Sequence, residues 1–218
     1  LVVDRDPDFT QGDLDVVVGE MYAMRALCHF YLLRTFRDIP MAMVPAVNDS
    51  ELPDYKQVHP LEALEMIMND LNVAEKLVMP TGNYSDDRHN CGRFTKNAVL
   101  AIKADVNLWR AAFTSYFKAN NDNNNLANVN VQQYYTQCVE NCRTIMDNID
   151  KLYEEKNKFN KYKEDTPYHL IANHDEFAID DETYESRSYN SIFGNGKSDE
   201  SIFELQIDAT LAKDEFSL

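Results

Sequence analysis

Long stretches of this chain place apolar residues three and four positions apart, with few helix breakers between them. From Gly12 to Phe36 the apolar positions are Leu14, Val17, Val18, Met21, Met24, Cys28, Tyr31, Leu32 and Leu33. That is the one-face signature of a helix. Asp13 is placed to cap its start, and Asp38-Ile39-Pro40 ends it, because proline disfavours helical geometry in the residue ahead of it. Only six glycines and seven prolines occur in 218 residues, too few turn formers for a many-stranded sandwich or barrel. The expected fold is mainly α.

Three more helices follow. Pro60 suits a first helical position, where its missing N–H costs nothing. Leu61, Leu64, Ile67, Met68, Leu71, Ala74 and Leu77 then share a face. Thr95 is the expected cap of a third helix running to about Tyr116, rich in alanine at Ala98, Ala101, Ala104, Ala111 and Ala112. Small side chains allow close approach, so this helix is expected to be central and covered on several sides. Asn120–Asn130 reads as a solvated, asparagine-rich turn. The fourth helix carries Val131, Tyr135, Cys138, Val139, Cys142, Ile145, Met146 and Ile149 on one face.

Helix starts near 60, 95 and 131 are about 35 residues apart, which predicts tetratricopeptide-like helix pairs, although no repeat consensus accompanies them. The expected domain is a single one over 1–218. It comprises a helical core over about 13–150, a long irregular segment over 151–200 and a short strand over 201–207. Leu1 is not an initiator methionine and the chain stops abruptly at Leu218, so a piece of a longer protein is the expectation.

Composition narrows function. There are 21 basic and 37 acidic residues, a formal net charge of −16. Such a surface repels polyanions, which disfavours a general role in binding nucleic acid. No segment reads as a membrane-spanning helix. Cys28, Cys91, Cys138 and Cys142 are too few for a disulfide scaffold. Cys138 and Cys142 share a helix face but lack the further ligands a metal site requires, so they read as small apolar core residues.

No phosphate loop, dinucleotide fingerprint, nucleophile elbow or zinc-protease motif is present. Asp180-Asp181-Glu182 contains the carboxylates of a glycosidase or a calcium site, but a solvated acidic loop is the better reading of them. Tyr184, Tyr189 and Phe193 cluster around Arg187 and Asn190. Rings that stack on pyranose faces, with polar groups for the hydroxyls, are sugar-binding chemistry. The competing reading is that these rings anchor a long loop. The candidate ligand-binding residues are Tyr184, Arg187, Tyr189 and Asn190, with 4–9 as a second possibility. No catalytic residue, metal site or cofactor is expected.

Three segments, taken in order, carry a resemblance. Gly19-Glu20-Met21-Tyr22-Ala23-Met24-Arg25-Ala26-Leu27-Cys28-His29-Phe30-Tyr31-Leu32-Leu33-Arg34-Thr35-Phe36-Arg37-Asp38-Ile39-Pro40 resembles the GEAxFLRAxxYFxLxxxFGDVP helix of the SusD/RagB family. Gly92-Arg93-Phe94-Thr95-Lys96-Asn97-Ala98, continuing through Ala104-Asp105-Val106-Asn107-Leu108, is similar to that family's GRxTKxAAxALxAxVYL helix. Glu200-Ser201-Ile202-Phe203-Glu204-Leu205-Gln206 resembles its ExIFEIQ strand. Met21, Cys28 and His29 depart from the commoner residues, and Arg37 stands where the family often has glycine.

The resemblance implies a SusD-like α-helical fold of tetratricopeptide-type pairs. It implies non-catalytic capture of a nutrient, usually a glycan and in some members a peptide, by a surface lipoprotein of the cell outer membrane. The partner it implies is a SusC-like TonB-dependent transporter, with the lipid anchor outside this sequence. None of the four cysteines matches the family's lipidated one. Two alternatives remain: a helical scaffold that only docks proteins, and a glycosidase using Asp180 and Glu182.

Overall fold

The computed structural model describes residues 8–44, 48, 55–120, 126–156 and 201–204. Five α-helices appear there: α1 Gln11–Phe36, α2 Pro60–Leu77, α3 Asp87–Gly92, α4 Lys96–Ala119 and α5 Val131–Lys156. Two short strands, β1 Ile39–Pro40 and β2 Gln57–Val58, pair antiparallel with Ile39 opposite Val58. The chain divides into two units. The first comprises Leu1–Met79 with Val99–Ile145, the second Pro80–Ala98 with Met146–Leu218.

In the first unit, α1 begins one residue earlier than its apolar pattern requires. Thr10, rather than Asp13, is the N-cap; its hydroxyl accepts from the Asp13 N–H, and the Asp13 carboxylate accepts from the Thr10 N–H at 2.8 Å. This capping box satisfies two backbone donors that a helix start leaves open. At the other end Arg37 adopts φ 67° and ψ −72° while the Asp38 N–H bonds the Phe36 carbonyl at 2.9 Å. That is a γ-turn of the rarer, strained hand. It lies where the resembling family often carries glycine, the residue that tolerates positive φ.

The buried face of α1 differs from the expected one. Gly19, Ala23, Ala26, Phe30 and Leu33 are buried, while Val17, Met21, Met24, Cys28, Tyr31 and Leu32 are exposed. Close packing decides the matter. A Cβ on Gly19 would lie 2.8 Å from both the Leu77 Cβ and the Val78 nitrogen, so only the small-residue row lets α2 approach. Against that row α2 places Ala63, Leu64, Ile67, Leu71 and Ala74, all fully buried. The helices run antiparallel, with Gly19 beside Leu77 and Arg25 beside Asp70. By length and composition α1 would suffice to cross a bilayer, contrary to the sequence expectation. Its inner face nevertheless carries buried Glu20 and His29, a pattern suited to a packed protein helix.

Also in this unit, α4 buries Val99, Leu100, Ala104, Val106, Ala111, Thr114 and Phe117, whereas Ala112 is exposed. Ion pairs Lys103–Glu75 and Arg110–Glu65 tie α4 to α2. The Arg110 guanidinium also sits 4.4 Å from the Tyr134 ring centroid on α5, and Lys118 donates to the Val129 carbonyl just before α5. These contacts make α4 and α5 antiparallel neighbours. Along α5 the buried residues here are Tyr134, Cys138 and Ile145; Tyr135, Val139 and Cys142 face outward instead. The Cys138 thiol is therefore a core residue as expected, and Cys142 is not. Its burial raises the Cys138 pKa.

The second unit corrects the expected cap of α4. The Thr95 hydroxyl is buried and bonds to nothing among the described residues. Instead the Asn97 N–H, in the helix's first turn, donates to the Thr81 hydroxyl at 2.9 Å. Gly82 follows with φ 86°, and a Cβ there would fall 2.4 Å from Leu152 Cδ2. Asn148 on α5 donates to the Asn97 side-chain carbonyl at 2.9 Å. The helix α3, within a stretch whose sequence reads as loop, is capped by Asp86, whose carboxylate accepts from the His89 N–H. The last helix continues to Lys156, past the expected start of irregular chain near 151. Of the strand expected over 201–207, residues 201–204 are described and belong to no sheet.

Candidate functional site

Tyr184, Arg187, Tyr189 and Asn190 lie outside the described residues, as do residues 4–7 and the acidic run Asp180-Asp181-Glu182. Among the described residues no three His, Cys, Asp or Glu side chains come together as a metal site would require. Three other arrangements stand out.

The first lies on the inner side of α1. Arg25 donates from Nε and Nη2 to both carboxylate oxygens of Asp70, at 2.8 and 2.7 Å, and from Nη1 to the Met43 carbonyl at 3.1 Å. Asp70 is 5% exposed at its side chain and Arg25 30%. A two-pronged Arg–carboxylate pair fixes geometry as well as charge, and the Asp70 hydrogen bond raises the Arg25 pKa. This clamp joins α1, α2 and the segment after β1. Nearby on α1, His29 is buried with its Nδ1 unpaired among the described residues. Burial lowers the His29 pKa, outweighing the hydrogen bond to the Arg25 backbone and the Asp70 charge.

The second, in the other unit, brings together two of the three segments that carry the family resemblance. Phe203 stacks on Phe94 with ring centroids 4.7 Å apart and planes 24° off parallel. The Glu204 N–H donates to the Cys91 carbonyl at 2.8 Å, and the Cys91 thiol to the Ser201 carbonyl at 3.6 Å. Beside them Arg93 sits 5.0 Å from the Tyr84 ring centroid. Asn90 braces Tyr84 by accepting from its N–H and donating to its carbonyl.

The third is an exposed cluster in the first unit where α1 meets α4. The Arg34 guanidinium lies 5.5, 5.7 and 5.6 Å from the ring centroids of Phe30, Tyr31 and Trp109. Phe30 meets Trp109 edge to face at 6.1 Å, and Trp109 is followed along α4 by Phe113 at 5.5 Å. Arg34 reaches Asp105 at 3.4 Å, with side chains 41% and 45% exposed, and Tyr31 is 59% exposed. Aromatic faces beside polar groups are the combination that the sequence suggests near Tyr184, there with Arg187 and Asn190 and here with Arg34 and Asp105. Residues 31, 34, 105 and 109 are too far apart in sequence to be read as one cluster.

No family model matches the chain, and no curated protein matches it. Among solved structures it is similar to a laminarin binding SusD-like protein, at 24% sequence identity and a TM-score of 0.46. The match covers 69% of this chain, which spans 30% of the length of that one. The described residues are mainly α-helical, and the sequence resembles the SusD/RagB family over three ordered segments.

Proposed function

We propose that this protein captures a nutrient glycan at the outer surface of the cell, without catalysis, and hands it to a SusC-like TonB-dependent transporter. One observation carries the reading most directly. The second and third family-like segments, around Phe94 and Phe203, pack on each other through ring stacking and a backbone hydrogen bond. Motif residues far apart in sequence thus meet in one place, which supports reading the segments together. Gly19 and Arg37 add to this, one by the close approach it permits and the other by its glycine-favouring backbone.

Binding by stacked rings and hydroxyl hydrogen bonds reaches millimolar to micromolar affinity, about −4 to −8 kcal/mol, which suits a protein that must also release its cargo. The net charge of −16 favours neutral sugars over strongly anionic ones. In this reading Tyr184, Arg187, Tyr189 and Asn190 are ligand contacts, attachment is through a lipid anchor, and no bond in the ligand is broken.

Isothermal titration against neutral oligosaccharides and a set of peptides tests it. At least one sugar is expected to bind and to be recovered with its reducing ends unchanged. Binding of peptides alone would move the protein to peptide capture, and binding of neither would remove the capture reading. A protein-docking scaffold is favoured by a different observation, the exposed apolar row Val17, Met21, Met24 and Cys28 on α1. Transporter pull-down lost on Met21→Asp and Met24→Asp, with no sugar bound, would select that alternative.

A further inference from the structure

We infer that the exposed cluster where α1 meets α4 is a binding site for a neutral hexopyranose, with Tyr31 as its stacking platform and Arg34 and Asp105 as its hydroxyl partners. The inference rests on the glycan-capture reading and adds a contact surface among the described residues to the candidates Tyr184, Arg187, Tyr189 and Asn190.

The argument starts from what folding leaves unexplained. Tyr31 is 59% exposed and touches Arg34, so its ring contributes little to the core. Arg34 is held among three rings at nearly equal distances, which confines its guanidinium beside Asp105. Yet its contact with Asp105 is 3.4 Å and exposed on both sides. That length is at the outer edge of a useful hydrogen bond. A guanidinium so confined and so loosely paired has donor capacity left over, and the carboxylate has acceptor capacity left over.

Adjacent sugar hydroxyls fit this pair. One oxygen accepts from Arg34 while the neighbouring O–H donates to Asp105, and the apolar C–H face of the ring lies on Tyr31. A neutral ligand leaves the Arg–Asp charge balance intact. A sugar carboxylate or sulfate would oppose Asp105 and the overall acidic surface. Trp109 and Phe30 position Arg34 from below.

Trp109 is the only tryptophan of the chain, so its emission reports directly on this surface. The 218-residue protein is titrated with neutral gluco-, manno- and xylo-oligosaccharides, following heat and Trp109 fluorescence together. A binding sugar is expected to shift the emission. Tyr31→Ala and Asp105→Asn are each expected to weaken binding about tenfold, the equivalent of one lost ring or charge-assisted contact. Tyr31→Phe keeps the ring and should stay within about threefold of the parent. Both positions are open to solvent, and a thermal melt checks that the variants fold. If a sugar binds with unchanged emission and full affinity in Tyr31→Ala and Asp105→Asn, this site is overturned while glycan capture stands. If no sugar binds the parent protein at all, the capture reading itself fails and this inference with it. Emission that responds to peptides and not to sugars also overturns it.

Discussion

Arg25 and Arg34 lie on the same helix, and each meets an aspartate of a neighbouring one. Arg25 grips Asp70 with two short hydrogen bonds and a third bond to a carbonyl, and the carboxylate is almost wholly buried. Arg34 touches Asp105 once, at 3.4 Å, with both side chains open to water. The first pair is closed to a ligand by the burial of its carboxylate, and removing Arg25 strands the buried charge of Asp70. The second contributes little to stability and keeps its hydrogen-bonding groups available. Identical residue types therefore serve cohesion at the middle of α1 and, in the site we infer, recognition near its C-terminus, and desolvation makes the difference.

The comparison is broken most directly at Asp70. Asp70→Ala is expected to cost about 2–3 kcal/mol in a urea unfolding midpoint, below the full cost of breaking a buried pair because Arg25 keeps some solvent. A loss under about 0.5 kcal/mol would place the two pairs in one class. Gly19→Leu acts on the same inner face. With a Cβ only 2.8 Å from Leu77 and Val78, it is expected to destabilise by about 2 kcal/mol through overpacking.

Acidification should probe the buried side of α1 as well. Because burial holds the folded-state pKa of His29 below its ordinary 6.5, the folded protein binds fewer protons than the unfolded chain. The stability due to neutral His29 is complete above pH 6.5 and declines as the pH falls from there toward the lowered value. His29→Phe should flatten that part of a stability-against-pH curve, and an unchanged slope would show that His29 is not its source. The smallest effect is expected at the exposed pair. Asp105→Ala should change the unfolding free energy by less than about 0.5 kcal/mol, as exposed pairs do, while still reducing sugar binding.

Much of this architecture could be read from residue spacing. Periods of three and four located four of the helices, and Pro60 marked the start of α2 as expected. The misread face of α1 is instructive. Rows 17-21-24-28-31 and 19-23-26-30-33 have the same spacing on opposite sides of the helix, so apolar periodicity alone cannot choose between them. The larger side chains drew the sequence reading, whereas the glycine and alanines mark the side where α2 lies close. In α3, Asp87-Arg88-His89-Asn90-Cys91-Gly92 has too little apolar pattern to announce a helix, and its Asp86 cap is the only local signal. The cluster of Tyr31, Arg34, Asp105 and Trp109 depends on two helices meeting, which no local pattern encodes. The residues proposed around Tyr184 lie outside the described chain, so their reading still rests on local chemistry alone.

The hydroxyl of Thr81 that receives the Asn97 N–H has a kinetic meaning. A helix whose first turn is satisfied by its own cap can nucleate while the rest of the chain is still disordered. The start of α4 lacks that independence, since its partner must be delivered by a separate turn beside Gly82, whose conformation favours glycine. Its opening turn should therefore gain protection from hydrogen exchange late, together with the Thr81–Gly82 turn rather than with the middle of the helix. Thr81→Val would then loosen Asn97 and its neighbours first, a local fraying about 1 kcal/mol deep that leaves the interior of α4 protected.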